Sequence, residues 1–85
     1  MQIIYSGQVQ GVGFRYTVRG LAAGFDVAGF VRNLGNGDVE LVAEGLIEQV
    51  EAFLVAIEER MAGYIQQRIF TDEPVGGLSG FQIRN

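Results

Sequence analysis

The sequence predicts an α+β domain in which one β-sheet carries two helices on the same face. Three observations lead to this prediction. Segments with strand-like alternation and segments with helical spacing follow one another in the order β-α-β-β-α-β. The two middle strands are separated by Asn36-Gly37, a pair favoured in tight hairpin turns. The 85 residues have room for one core, so we expect a single domain over residues 1–85.

The first strand and the first helix are predicted in the N-terminal third of the chain. Residues 2–9 alternate between two faces, which predicts a strand, and Gly11-Val12-Gly13 ends it. From about Tyr16, apolar residues recur at the spacing of a core-facing helix: Val18, Leu21, Ala22 and Phe25. Gly24 is placed to end this short helix.

A β-hairpin and a longer helix follow. The second strand is predicted over residues 28–34 and the third over residues 38–44, with Asn36-Gly37 in the turn. After Gly45, apolar residues repeat at helical spacing as far as Gly63, and we expect them in the core: Ile47, Val50, Phe53, Leu54, Ile57 and Met61. The acidic residues of this helix predict a solvated face without a metal site: Glu48, Glu51, Glu58 and Glu59.

The C-terminal part predicts a strand over residues 64–71, a break at Pro74 and Gly76-Gly77, and room for a short fifth strand over residues 80–84. This order suggests the ferredoxin-like arrangement, in which two split βαβ units share one antiparallel sheet with both helices on one face. There, the loop after the first strand and the end of the second strand lie at the same sheet edge. We therefore expect Arg15 and Asn33 to share one rim.

The composition excludes several kinds of function. A net charge of −4 disfavours binding to nucleic acid or to an anionic membrane, and no apolar run is long enough to span a bilayer. The chain has no cysteine and no histidine, so neither disulfides nor thiolate or imidazole catalysis are available. Met1 leads directly into a strand-like segment without a secretory leader, and we expect a cytoplasmic location.

A glycine loop, residues 10–15, joins the first strand to the first helix. At a helix N-terminus, unpaired backbone N–H groups and the helix dipole favour an anion, and phosphate is the obvious candidate. Gly11 and Gly13 allow the backbone to curl into a nest, and Arg15 can grip phosphate with two parallel hydrogen bonds. Glycine is also common in ordinary strand-to-helix turns, so this segment alone supports both interpretations about equally.

Known nucleotide loops do not fit this segment. A dinucleotide fingerprint would need a third glycine at position 16, where Tyr16 stands, and a Walker loop would need a Gly-Lys-Ser/Thr end. Tyr16 and Thr17 either cap the helix or contact substrate.

Asn33, at the end of the second strand, is the other candidate. Its amide could hold a water molecule against a phosphate on the same rim, although asparagine is also simply favoured in turns. The neighbouring Arg32 points to the opposite face of the sheet by alternation, and we predict it to be a surface residue.

Two segments together resemble the acylphosphatase family, whose signatures read G-x-V-Q-G-V-x-F-R and, later, G-aromatic-V-R/K-N-x3-G-x-V-x5-G. The first is met by Gly7-Gln8-Val9-Gln10-Gly11-Val12-Gly13-Phe14-Arg15. The second is met at every fixed position by Gly29, Phe30, Val31, Arg32, Asn33, Gly37, Val39 and Gly45. The chain departs from the family at Tyr5, usually an aliphatic residue, and at Gly45-Leu46, often Gly-Pro.

The resemblance implies an enzyme that hydrolyses the carboxyl-phosphate bond of acyl phosphates to carboxylate and inorganic phosphate. It implies that Arg15 and the backbone N–H groups of the loop bind the phosphate while Asn33 orients the attacking water. The implied loop residues are Gln10, Gly11, Val12, Gly13 and Phe14. No metal or other cofactor is implied, and we expect a monomer that acts on a small molecule.

Two other functions are compatible with this strand order. An acylphosphatase-like domain also begins the large hydrogenase-maturation carbamoyltransferases, so a non-catalytic module that binds phosphate or carbamoyl phosphate is the main alternative. An RNA-recognition domain is the second. The acidic charge and the lack of aromatic residues in the pattern that RNA binding needs argue against it.

Overall fold

The computed structural model describes residues 1–72 and 76–84. Its elements follow the predicted order and include the short fifth strand: β1 Gln2–Gly7, α1 Phe14–Ala22, β2 Val27–Asn33, β3 Val39–Gly45, α2 Ile47–Met61, β4 Ile65–Thr71 and β5 Phe81–Arg84. The predicted break at Pro74 lies outside the described residues. Within the described ranges, neither helix combines the length and the apolar character needed to cross a bilayer.

The five strands form one sheet in the order β4-β1-β3-β2-β5. The neighbours among the first four strands are antiparallel, which confirms the sheet predicted for the ferredoxin-like arrangement. The short β5 adds to the outer edge of β2 and runs parallel to it, with Phe81 opposite Gly29 and Arg84 opposite Arg32. The complete sheet is therefore mixed, and β2 lies between two strands instead of at an edge.

Both helices pack on the same face of the sheet and enclose a single core. Phe53 of α2 lies at its centre, with ring centroids 5.8 Å from Phe25 and 5.5 Å from Phe81. Burying a side chain of this size stabilises the fold by roughly 1.5–3 kcal/mol. The ring contacts join α2 to the segment after α1 and to β5, so the last strand is held by the core as well as by its hydrogen bonds to β2.

The helices differ from their predictions at their N-terminal ends. Helix α1 begins at Phe14, two residues before the predicted start, because Phe14 is buried against Tyr5 with 5.4 Å between ring centroids. Burial raises the pKa of Tyr5 above its ordinary value, so its phenol stays protonated. The tyrosine that stands here in place of the family's usual aliphatic residue therefore adds no charge to the core. Ile47 was predicted in the core, but it is the first residue of α2 and is 56% exposed.

The acidic face of α2 is only partly solvated. Glu58 forms an ion pair with Arg68 on the neighbouring strand β4, and both side chains are half-buried. The prediction of a fully solvated face was therefore wrong at this one position, since the pattern within a helix carries no information about the strand beside it.

The predicted hairpin turn between β2 and β3 is confirmed. The N–H group of Leu34 donates to the carbonyl oxygen of Asp38 over 2.8 Å, and that of Gly37 donates to the carbonyl oxygen of Leu34 over 3.3 Å. The turn therefore contains Gly35 together with the predicted Asn36-Gly37 pair, a common three-residue hairpin loop. It leaves Asn33 as the last residue of β2, opposite Val39.

Candidate active site

A cleft of about 160 Å³ lies where α1 begins and β2 ends. It is lined by Val9, Gly11, Gly13, Phe14, Arg15, Tyr16 and Asn33. Arg15 and Asn33 thus come together at one rim, as the strand order predicts. Both side chains are half-buried, so they are held by their surroundings and still reach the cleft.

The glycine loop is fixed at its two ends by buried side chains. Val9, just before the loop, is 1% exposed, and Phe14, near its end, is 2% exposed. Between them Gly11 and Gly13 have φ values of +79° and +76° and face solvent. Residues other than glycine adopt this left-handed backbone conformation at a cost of about 1–2 kcal/mol. The loop therefore exposes its backbone while its ends stay in the core.

The N-terminus of α1 opens into the cleft. Gly13 is the N-cap residue, and its carbonyl oxygen accepts the first helical hydrogen bond from the N–H group of Thr17 over 2.9 Å. Gly13 has no side chain that could cap this helix end, and the first turn of α1 contains no acidic residue. The first N–H groups of a helix have no partner within it, and they carry the positive end of the helix dipole. The cleft therefore has a positive end built from backbone.

The structure bears on one of the two alternatives for Tyr16 and Thr17, the capping of α1. Neither side chain caps α1, because the N-cap residue is Gly13. Tyr16 instead lines the cleft and is 63% exposed, with the guanidinium of Arg19 5.4 Å from its ring centroid. Tyr16 is therefore the member of this pair placed to contact a bound molecule.

Asn33 faces the cleft because of its position in β2. Val31, two residues earlier, lies in the core, and alternate residues of a strand share a face, so Asn33 points to the side that carries the helices. Arg32 points to the opposite side, where it pairs with the buried carboxylate of Glu40. The prediction that Arg32 lies on the other face, away from the candidate site, is confirmed.

Two of the predicted loop residues do not line the cleft. Val12 is 38% exposed at the tip of the loop. The side chain of Gln10 turns toward the hairpin, where its Nε2 atom donates to the carbonyl oxygens of Leu34 and Asp38, each over 2.8 Å. Sequence reasoning considered only the backbone of Gln10, since contacts between residues 24 and 28 positions apart leave no periodic signal.

Comparisons with known proteins agree on one family. The acylphosphatase family description matches residues 1–83. The chain is 44% identical to an acylphosphatase of Methanospirillum hungatei, over 99% of this chain and 94% of the relative. It is 38% identical to an acylphosphatase of Vibrio cholerae, over 96% of this chain and 92% of the relative.

Solved structures give the same picture. The crystal structure of acylphosphatase from Bacillus subtilis superposes with a TM-score of 0.86 at 32% identity, covering 99% of this chain and 96% of that one. The crystal structure of T. kodakarensis HypF also superposes with a TM-score of 0.86, at 31% identity, but this chain matches only 11% of that longer protein.

Proposed function

The chain belongs to the acylphosphatase family and is an acyl phosphate hydrolase, and we propose that Arg15 and the glycine-loop N–H groups bind the phosphate while Asn33 orients the attacking water. One observation carries this assignment of roles. A single cleft holds the open helix N-terminus, a guanidinium and a carboxamide, and these three groups come from two separate segments of the chain.

The phosphate is bound at the positive end of α1. Its oxygens accept hydrogen bonds from the backbone N–H groups of residues 10–14, helped by the helix dipole. The guanidinium of Arg15 supplies two more donors in a planar fork that matches two phosphate oxygens. These groups stabilise the charge that spreads over the phosphoryl oxygens in the transition state, which is the main requirement of phosphoryl transfer.

Asn33 acts on the water from the end of β2, the second segment that lines the cleft. Its carboxamide can accept a hydrogen bond from the water and donate one to it or to the phosphate. Holding the water in line with the bond that breaks replaces an encounter from solution, and such positioning accounts for a large part of the barrier reduction in many enzymes. The water oxygen bonds to phosphorus as the bond between phosphorus and the acyl oxygen breaks, and the acyl group leaves as a carboxylate.

No strong general acid or base is needed for this reaction. The leaving carboxylate is stable without protonation, and a phosphate oxygen of the substrate accepts the proton that the water loses. This step uses the substrate itself as the base, which accords with a chain that contains neither histidine nor cysteine.

The location of the phosphate is tested by titrating the isotope-labelled protein with inorganic phosphate, the reaction product, and following its amide NMR signals. We expect the largest shifts at the backbone N–H groups of residues 10–14 and at the side chains of Arg15 and Asn33. Shifts concentrated at Arg32 and Arg84 would contradict the proposal, because those guanidinium groups flank the Phe30 ring away from the cleft.

The rate is expected to have no inflection from an enzyme side chain between about pH 6 and 8.5, because no residue type in the chain has an ordinary pKa in that range. The α-amino group of Met1 lies at the start of β1, far from the cleft, and donates to the carbonyl oxygen of Ala43 over 3.0 Å. The measurement is kcat against pH for two acyl phosphates with different acyl groups. Any inflection should move with the substrate, and one that stays fixed for both would reveal an enzyme base.

We further propose that the enzyme works as a monomer in the cytoplasm on a small-molecule substrate. The monomeric state stays a prediction from the sequence, and so does the cytoplasmic location.

A further inference from the structure

We propose that the side chain of Gln10 is a positioning residue. It holds the end of the β2–β3 hairpin that carries Asn33 (the water-orienting wall) at a fixed distance from the glycine loop and Arg15 (the phosphate-binding wall). This inference rests on the proposed roles of Arg15 and Asn33. It assigns to Gln10 a function that is separate from that of its backbone N–H group.

The contacts of Gln10 join two segments that are distant in sequence. Its carboxamide nitrogen carries two hydrogens, and the two acceptors are the carbonyl oxygens of Leu34 and Asp38, each 2.8 Å away. Both donor positions of the nitrogen are thus used. The side chain therefore bridges the first residue of the glycine loop and both sides of the hairpin turn.

These two acceptors flank the site residue on the hairpin. Leu34 directly follows Asn33, and Asp38 directly precedes Val39, which is the register partner of Asn33 in the sheet. On the other side of the bridge, Gln10 follows Val9, which is 1% exposed in the core. A displacement of the hairpin end relative to the loop would therefore have to stretch both hydrogen bonds of Gln10.

The bridge is not needed to close the turn. The carbonyl oxygen of Asp38 also accepts from the N–H group of Leu34 over 2.8 Å, and that of Leu34 also accepts from the N–H group of Gly37 over 3.3 Å. Both carbonyl groups keep a backbone partner when the side chain of Gln10 is removed. Its loss should leave the hairpin formed while freeing it to shift against the loop.

This arrangement predicts a separation of two measurements. Phosphate binding depends on the loop, the helix N-terminus and Arg15, all on one side of the bridge. Water positioning depends on Asn33 on the other side. A displacement of Asn33 by about 1 Å can reduce turnover by as much as a hundredfold. Phosphate binding to the undisturbed glycine loop and Arg15 would not be affected.

The experiment compares Gln10→Met and Gln10→Ala with the wild type. Methionine keeps the length and shape of the side chain but cannot donate, so it remains informative if the alanine variant folds poorly. We expect kcat for benzoyl phosphate to fall about 10- to 100-fold, with the inhibition constant of inorganic phosphate changed by less than about twofold. Gln8→Ala is the matched control, because Gln8 is exposed two residues earlier, and it should retain wild-type kinetics.

A double-mutant cycle with Asn33→Ala decides whether Gln10 acts through Asn33. We expect Gln10→Met to lower the residual rate of the Asn33→Ala protein by less than about threefold, because the group that it positions is already absent. The inference is overturned if Gln10→Met leaves kcat unchanged, weakens phosphate binding as much as turnover, or has its full effect in the Asn33→Ala background. A fully active Asn33→Ala protein would instead overturn the proposed function, so the two failures are distinguishable.

Discussion

Replacing Arg15 with alanine is expected to lower kcat/KM for benzoyl phosphate by about a thousandfold or more. The guanidinium lies in the cleft beside the open N-terminus of α1, where it can contribute two of the donors that hold the phosphoryl oxygens. Those contacts exist in the bound substrate and strengthen as charge develops, so both binding and turnover should suffer. Steady-state kinetics and the inhibition constant of inorganic phosphate measure the two effects separately.

Two further arginine substitutions sharpen this test. Arg15→Lys keeps the charge but loses the planar fork, so an activity between those of the wild type and Arg15→Ala is expected. Arg60→Ala makes the same change in net charge at an exposed position in the last turn of α2, and it should change kcat/KM by less than about threefold. If Arg60→Ala were as damaging as Arg15→Ala, the effect would be one of overall charge.

Replacing Asn33 with alanine is expected to lower kcat by about a hundred- to a thousandfold while KM and phosphate inhibition change by less than about threefold. Asn33 lies at the end of β2 and lines the same cleft as the groups proposed to bind phosphate, and its proposed partner is the attacking water. An interaction needed mainly in the transition state appears in kcat and not in the affinity for the product.

The aspartate variant separates water positioning from simple filling of the cleft. Asn33→Asp preserves the size of the side chain, but it replaces the N–H donors with a carboxylate that faces the phosphate. We expect it to be at least as inactive as Asn33→Ala and to bind inorganic phosphate more weakly. If Asn33→Ala weakened phosphate binding as much as it slowed turnover, Asn33 would be a phosphate ligand and the assignment to water would be wrong.

Much of the fold was predictable because short-range patterns encode it. Alternation and helical spacing place all the elements, and the Asn36-Gly37 pair marks the hairpin turn. Features that depend on contacts between residues distant in sequence were harder to predict from the sequence. The parallel pairing of β5 with β2 joins residues about fifty positions apart, and a four-residue strand carries too little pattern to specify its neighbour.

The same distinction holds for the candidate site. Arg15 and Asn33 were predicted on one rim because the strand order alone brings their segments to the same sheet edge. The start of α1 was predicted two residues late, because its N-cap is Gly13, without the Ser, Thr, Asp or Asn that usually marks a helix start. The side-chain hydrogen bonds of Gln10 were not predicted at all, since they depend on the three-dimensional approach of the loop to the hairpin.

The buried ends of the glycine loop have a consequence for how this enzyme is inactivated. Val9 and Phe14 belong to the same core cluster as the central residues of both helices and the sheet. The loop therefore cannot open as an independent unit, in contrast to active-site segments drawn from the least stable parts of a protein. Loss of activity in denaturant should coincide with global unfolding as one cooperative transition. For this molecule, resistance to unfolding and persistence of catalysis are the same property.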